Sequence, residues 1–530
     1  MPGSEYRELV RSFLDLRWQL DPVTATQSGV TAHNGTLGHF TRNDARVAVS
    51  ALKAMSIAFE GLELDDVQDS IDCTAVLNDI RVSLARLEKE KPHELNPEFH
   101  LSHLLNGLFA LVMRGDQSPD ERGRALALRL LDTPRFLKDA AATLTRPAEI
   151  FTQTGLSVAA GGSALLREAI PEFAASLGSE TRRAIEDAMP PARAALQEFH
   201  DFLAGELADR SDGDFAIGRD AFDFRLHYEH ALQETAPELL RYGESLVTEV
   251  EADLAARAEK MAGLPWRALA DKLRGDHPDA SGLVAHYARE MERARQFVAE
   301  HGLVTIPRGA LEVVATPSFM RPLIPFAAYD PPGAFAEDRR GLFYVTVPDP
   351  SQIKDHCRHE IACTALHEGY PGHHLHFLAT QREESPVRRV VGSPLTIEGW
   401  ALYCEELMTT EGFLASPEEI FFQKLHLLWR AARIVLDVKL HTAGLSASAA
   451  VDYLSNTAGV GRASAESEVR RYCSSPGYQL CYAVGRRELL RLRDDYRRRA
   501  GASFSLGRFH DEVMSYGGLP IALSRWGMGL

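Results

Sequence analysis

The chain lacks most of the features that would place it in a simple class. Its 530 residues hold six cysteines (Cys73, Cys357, Cys363, Cys404, Cys473 and Cys481), and none forms a C-x-x-C pair. In a chain this long they read as reduced core residues. No stretch approaches the ~20 consecutive apolar residues of a membrane span. The opening segment, MPGSEYRELVRSFLDLRWQL, has no continuous apolar h-region. A cytoplasmic location with no membrane partner is the expectation.

Excess positive charge is absent too. The net charge is -16, so the chain is poorly suited to neutralising phosphate backbones, and nucleic acid is not an expected partner. The one basic run, GRRELLRLRDDYRRRAGA, has acids among its arginines and reads as a solvated helix face. Aromatics are 8% and charged residues 25%, an ordinary globular balance. No internal repeat and no linker is evident.

What the chain does have is 45% hydrophobic content, ample for a large core, set mostly at helical spacing. PARAALQEFHDFLAGELADR and TAPELLRYGESLVTEVEADLAARAEKMAGL both place apolar residues three and four apart. Helix starts are expected at DTPRF, SPEEI and SPLTIEGW, where Ser, Thr or Asp precedes Pro. The clearest strands are LEVVAT (311–316) and GLFYVTV (341–347). The Pro-rich stretch between them, TPSFMRPLIPFAAYDPPGAF, is expected to be irregular, because Pro removes donors and fixes φ. The expected class is mainly α, with a small β element just before a histidine cluster. A soft division near residue 235 would separate a helical N-terminal lobe from a lobe carrying the chemistry, within one unit spanning 1–530.

The histidine cluster is ALHEGYPGHHLHF, residues 365–377. His367-Glu368 begins it as H-E-x-x-H would, but Pro371 stands where the second histidine is due. A hydrolytic zinc site needs three protein ligands and an open position. Two histidines at i and i+4 share a helix face, and the adjacent glutamate can take a proton from the attacking water. In an unbroken helix His373 would be rotated by roughly 120° from His367 and displaced ~9 Å, and His374 would lie ~10.5 Å along the axis. Neither could share one zinc with His367 at ~2.0–2.1 Å. Pro371 and Gly372 offer the escape: looped out, they would let His373 occupy the i+4 place. His374 is the alternative ligand, or a group supporting one from behind.

Three further segments support a metal site. In SPLTIEGWALYCEELMTTEGF, Ser393 and Pro394 start a new helix, and Glu398 in its first turns is the expected third ligand. Glu405, near the same face, and Glu406 are less apt. GLFYVTV is expected to be an edge strand along which an extended substrate could add, with Tyr344 a substrate-binding residue. EVRRYCSSPGYQLCYAVGRREL gathers Arg470, Arg471, Tyr472, Tyr478 and Tyr482 around a Pro-Gly turn. Tyr482 is the candidate oxyanion donor, and Arg470 or Arg471 the candidate clamp for a substrate carboxylate.

Together HEGYPGHHLHF, TIEGWALYCEEL and EVRRYCSSPGYQLCYAVG resemble the bacterial domain-of-unknown-function 885 family. Its signature is H-E-x-x-P-G-H-H, then E-G-W-A-x-Y-x-E, then R-Y-x-x-x-P-G-Q-x-x-x-Y-x-x-G. The third block departs at Tyr478, where the family usually has glutamine. LDLRWQLDPVTATQSGV, TPSFMRP and YDPPG extend the resemblance through nearly the whole chain. That family looks like a relative of the helical zinc peptidases of the angiotensin-converting-enzyme, oligopeptidase and thermostable-carboxypeptidase types, which carry H-E-x-G-H. The resemblance favours His373 over His374. It implies a zincin-like fold of two lobes around a deep cleft that admits short peptides.

The resulting expectation is a Zn2+-dependent metallopeptidase-like hydrolase of short peptides, carboxypeptidase- or dipeptidase-like if the clamp is real. His367, His373 and Glu398 hold the metal and Glu368 is the general base. A non-peptide amide hydrolase, or a non-catalytic helical binding protein with a structural metal site, are the alternatives.

Overall fold

The structure, a computed structural model, describes residues 2–113, 115, 117–317, 321, 324, 326–349 and 353–530. The expected irregular stretch therefore lies partly outside the described residues, at 318–320, 322, 323 and 325. Among the described residues the chain is mainly helical with one three-stranded sheet. No described helix is long and apolar enough to cross a membrane. All six cysteines are free and buried.

Two compact units are formed, and the first closes at Phe215. In it, helices Pro119–Thr143 and Ser179–Phe202 pack together. The helix expected to begin at DTPRF instead begins at Pro119, behind the cap residue Ser118, whose side chain and Glu121 form a capping box, and Pro134 lies inside it. An internal proline costs about 3 kcal/mol. Leu126, Leu130, Phe136 and Leu137 flank it and are buried, each contributing about 1.5–3 kcal/mol, so tertiary packing overrides the local signal. Arg129 of this helix is fully buried. It donates to the Gly107 carbonyl and Thr26 Oγ1, each at 2.6 Å, and to the Thr36 carbonyl at 3.0 Å. Burial pulls its pKa down to about 10.

The second unit runs from Ala216 to Leu530, apart from short segments within 318–338 that belong to the first. Helix α1 (Ala236–Ala262) starts at a Thr235–Glu238 capping box and stops at left-handed Gly263. Helix α2 (Leu283–Glu300) precedes strands β1 (Ala310–Ala315), β2 (Ala327–Asp330) and β3 (Arg340–Val345). Then come α3 (Arg358–Glu368), α4 (His373–Thr380), α5 (Pro394–Thr410), α6 (Pro417–Thr442), α7 (Arg462–Ser474) and α8 (Cys481–Ala500). Both expected Ser-Pro starts are realised: Ser393 caps α5, and Ser416 with Glu419 caps α6.

The sheet corrects two expectations. Its order is β1-β3-β2, with β3 parallel to β1 and antiparallel to β2. GLFYVTV is thus the central strand, and Tyr344 is paired with Val314 on one side and Ala328 on the other. Its backbone groups belong to the ladder, so no substrate strand can add there. The second correction is β2, which forms inside the stretch expected to be irregular. AAYD is short and free of proline, and it is held by its pairing with β3 rather than by its own propensity. Leu283, Tyr287 and Met291 of α2, Phe343 and Val345 of β3, and Ile361 and Ala365 of α3 form one buried cluster. That cluster fixes α3 against the sheet.

Candidate metal centre

Helix α3 stops just past His367, at Glu368, and α4 starts at His373. Between them the Tyr370-Pro371 peptide is cis. The backbone bridges the break with hydrogen bonds that reach six residues back. Gly372 N–H donates to the Leu366 carbonyl at 3.0 Å, and Leu375 N–H to that of Gly369 at 3.4 Å. The regular ladder reaches four, so two residues have been inserted. Position 372 must be glycine, because a Cβ there would lie 2.0 Å from the His367 carbonyl oxygen and 2.3 Å from that of Leu366. The buried Trp400 indole N–H donates to the Pro371 carbonyl at 2.8 Å and braces the loop.

This detour brings His367 and His373 together, with ring centroids 4.9 Å apart and planes at 89°. Glu398 comes from α5. Its Oε2 lies 3.7 Å from His367 Nε2 and 3.3 Å from His373 Nε2. Ligand atoms of the three residues lie within 4.8 Å of one another, and all three residues are buried. Helix α5 also packs closely against α8, which carries Tyr482. A Cβ on Gly399 would lie 2.6 Å from the Gly485 backbone, and one on Gly485 2.0 Å from the Leu395 carbonyl oxygen.

Each donor but one is oriented from behind. Glu405 is fully buried one heptad beyond Glu398, and its Oε1 accepts from His367 Nδ1 at 2.8 Å. With Nδ1 donating, Nε2 is left to face the cluster. His426 Nδ1 of α6 lies 3.7 Å from the other Glu405 oxygen. The Tyr478 hydroxyl donates to Glu398 Oε1, which turns Oε2 toward the histidines. Of the three converging residues, His373 is the one with nothing behind it: its Nδ1 is buried without a partner among the described residues.

The charges are arranged to suit a cation. Burial alone would lower the His367 pKa, but hydrogen bonds to Glu398 and Glu405 raise it to about 9. Burial alone would raise Glu398 and Glu405; contact with the histidines holds both well below the ordinary range. Two imidazole nitrogens and a carboxylate oxygen match the donors zinc takes in open sites. The residues fit the metal, and His367, His373 and Glu398 would hold it.

The other expected residues are distributed unevenly. Glu368, next to His367, is half-buried, and no described residue takes its carboxylate in a hydrogen bond or ion pair. Tyr482 lies beside the cluster, its ring nearly parallel to His367 with centroids 6.3 Å apart. Burial pushes its hydroxyl up to about 12. His374 turns away: its Nδ1 meets the Tyr329 hydroxyl at 2.9 Å, and burial lowers it to about 4. Arg470 is exposed, and Arg471 donates to Glu468 at 2.8 Å. Tyr344 is buried in the sheet with its hydroxyl unpartnered among the described residues. Glu405, expected as a less apt ligand, and Tyr478, expected near the site without a role of its own, both stand behind the cluster, whereas His426 and Trp400 were not expected there. The spacing of Glu405 from Glu398 carried the first of these, since seven residues return a helix to the same face.

The model of a bacterial protein family of unknown function, DUF885, matches residues 22–525. The chain belongs to this family. Its fold extends over two solved structures provisionally described as lipoproteins. The Shewanella oneidensis one, of unknown function, has 21% identity and a TM-score of 0.82, covering 99% of this chain and 100% of that one. The Colwellia psychrerythraea one has 16% identity and a TM-score of 0.86, covering 99% and 98%. At these identities the likeness to this DUF885 chain is one of fold. No curated protein matches the chain.

Proposed function

We propose that this DUF885 protein is a zinc-dependent hydrolase of short peptides, built on a helical zincin-like plan akin to the zinc peptidases named above. The observation that carries this reading is the convergence of His367 Nε2, His373 Nε2 and Glu398 Oε2, with Glu405 fixing His367 from behind. Zinc bound there supplies Lewis acidity toward the scissile carbonyl. Glu368, adjacent in sequence to His367 and free of a described partner, takes a proton from the attacking water and returns it to the leaving amine. The Tyr482 hydroxyl donates to the oxyanion.

Three donors rather than four favour an open, catalytic site over a closed structural one. His374, the expected alternative, is engaged with Tyr329. A cytoplasmic location remains part of the proposal, and cell fractionation checks it.

The test has two parts. Zinc content should be stoichiometric in wild type and lost in His367→Ala. A panel of di- and tripeptides should be cleaved by wild type, while Glu368→Gln keeps the metal and loses ~10²–10⁴-fold in turnover. Full activity in Glu368→Gln would remove it as the general base.

A further inference from the structure

Helix α6 directs three basic side chains toward the centre from one face, at positions 426, 430 and 433, spaced four and three apart. Two are engaged. His426 faces Glu405. Arg433 donates to Glu468 and to the Tyr472 hydroxyl, each at 2.8 Å. Arg430 is different. Its guanidinium carbon lies 5.8 Å from the Tyr482 ring centre and 5.4 Å from that of Trp429. Its Nε is sealed from solvent without an acceptor, and no carboxylate among the described residues forms a salt bridge with it, although it feels the charge of buried Glu405. A desolvated guanidinium donor with nothing to donate to is costly. The two terminal nitrogens are not sealed and have no acceptor among the described residues, so an arriving oxyanion can be held there by two parallel hydrogen bonds.

The position suits a substrate anion. Tyr482 contacts Arg430 with the same ring that lies 6.3 Å from His367. Arg430 is therefore separated from the metal cluster by about one aromatic ring, a distance spanned by two or three extended residues at ~3.3–3.6 Å each. The guanidinia expected to serve as clamp are less apt, since Arg471 shares Glu468 with Arg433 and Arg470 is exposed.

We propose that Arg430 is the specificity residue of the site and binds the free C-terminal carboxylate of a short peptide substrate. This rests on the hydrolase reading above and names its substrate class: peptides cleaved one or two residues from a free C-terminus. The neighbouring Trp429 and Tyr482 faces hold the guanidinium plane in place.

The experiment presents each peptide of the panel as the free acid and as the C-terminal amide, to zinc-loaded wild type, Arg430→Met and Arg430→Lys. Wild type is expected to favour the free acid ~10- to 100-fold in kcat/KM, the range for a hydrogen bond to a charged group. Arg430→Met should bring that ratio to about one, chiefly through KM, and Arg430→Lys should restore part of it, having charge without the fork. Because a ratio is read, damage to folding or zinc loading cancels. A wild-type ratio near one, or a preference that survives in Arg430→Met, overturns the proposal and leaves the hydrolase reading standing. If no peptide is cleaved, calorimetry with N-acetyl-L-phenylalanine and its amide decides. An Arg430-dependent preference for the acid upholds the anion site without the peptidase, and equal or absent binding of both overturns it.

Discussion

The indole N–H of Trp400 donates a buried 2.8 Å hydrogen bond to the carbonyl of Pro371. It ties the helix that carries Glu398 to the backbone detour that leads into His373. Trp400→Phe keeps most of the packing and strands that carbonyl. It should cost about 1–3 kcal/mol, read as a lower melting temperature, and it should weaken zinc binding because His373 is held less firmly. An unchanged melting temperature would mean that the detour stands without this brace.

Gly372 has no room for a side chain, since a Cβ would sit 2.0 Å from a backbone oxygen. Gly372→Ala should abolish zinc binding or folding. Gly205→Ala, where nothing lies within 4 Å, should be silent to within about 0.5 kcal/mol. Metal analysis and thermal melts of the two variants side by side check this. Stoichiometric zinc in Gly372→Ala would show that the loop can relax.

Glu405 supports His367 without reaching the cluster itself. Glu405→Gln retains an acceptor and loses the charge. Zinc affinity, measured against a chelator, should fall ~10- to 100-fold. Unchanged affinity would reduce Glu405 to a packing role.

Tyr478 stands where the family pattern has glutamine, and both residues can donate a hydrogen bond to Glu398. Tyr478→Phe removes the donor and should weaken zinc by roughly tenfold. Tyr478→Gln should recover part of the loss. A phenylalanine variant as tight as wild type would show that Glu398 orients itself.

The raised His367 pKa, about 9, sets a pH dependence. A histidine whose folded pKa exceeds its free value of ~6.5 stabilises the metal-free protein fully below ~pH 6.5. That contribution fades as pH rises through about 9. Zinc competes for the same nitrogen, so its binding should tighten with pH up to that value. Near neutrality it should release about one proton. Calorimetry in two buffers of different ionisation enthalpy counts that proton, and a buffer-independent heat would contradict the assignment.

Features set by neighbouring residues were legible in the sequence. Ser393-Pro394 and Ser416-Pro417 mark helix starts because a cap is satisfied within three residues. Pro371-Gly372 announced a break because proline withholds a donor and glycine tolerates close approach. Pro134 misled for the complementary reason: its helix is held by leucines and Phe136 packed against distant parts of the chain. β2 and the central position of β3 depended on pairing partners, which no local pattern names.

The sequence by itself determined the helical class, the interrupted histidine helix and the residues able to meet at a metal, since periodicity, capping and backbone restriction act over a few residues. The tertiary structure decided which histidine turns inward, that Glu405 and Tyr478 stand behind His367 and Glu398, and that Arg430 rather than Arg470 or Arg471 stands beside Tyr482 with no salt bridge among the described residues. Those contacts join residues tens of positions apart, and only packing of the helices against one another fixes which side chains share a buried space.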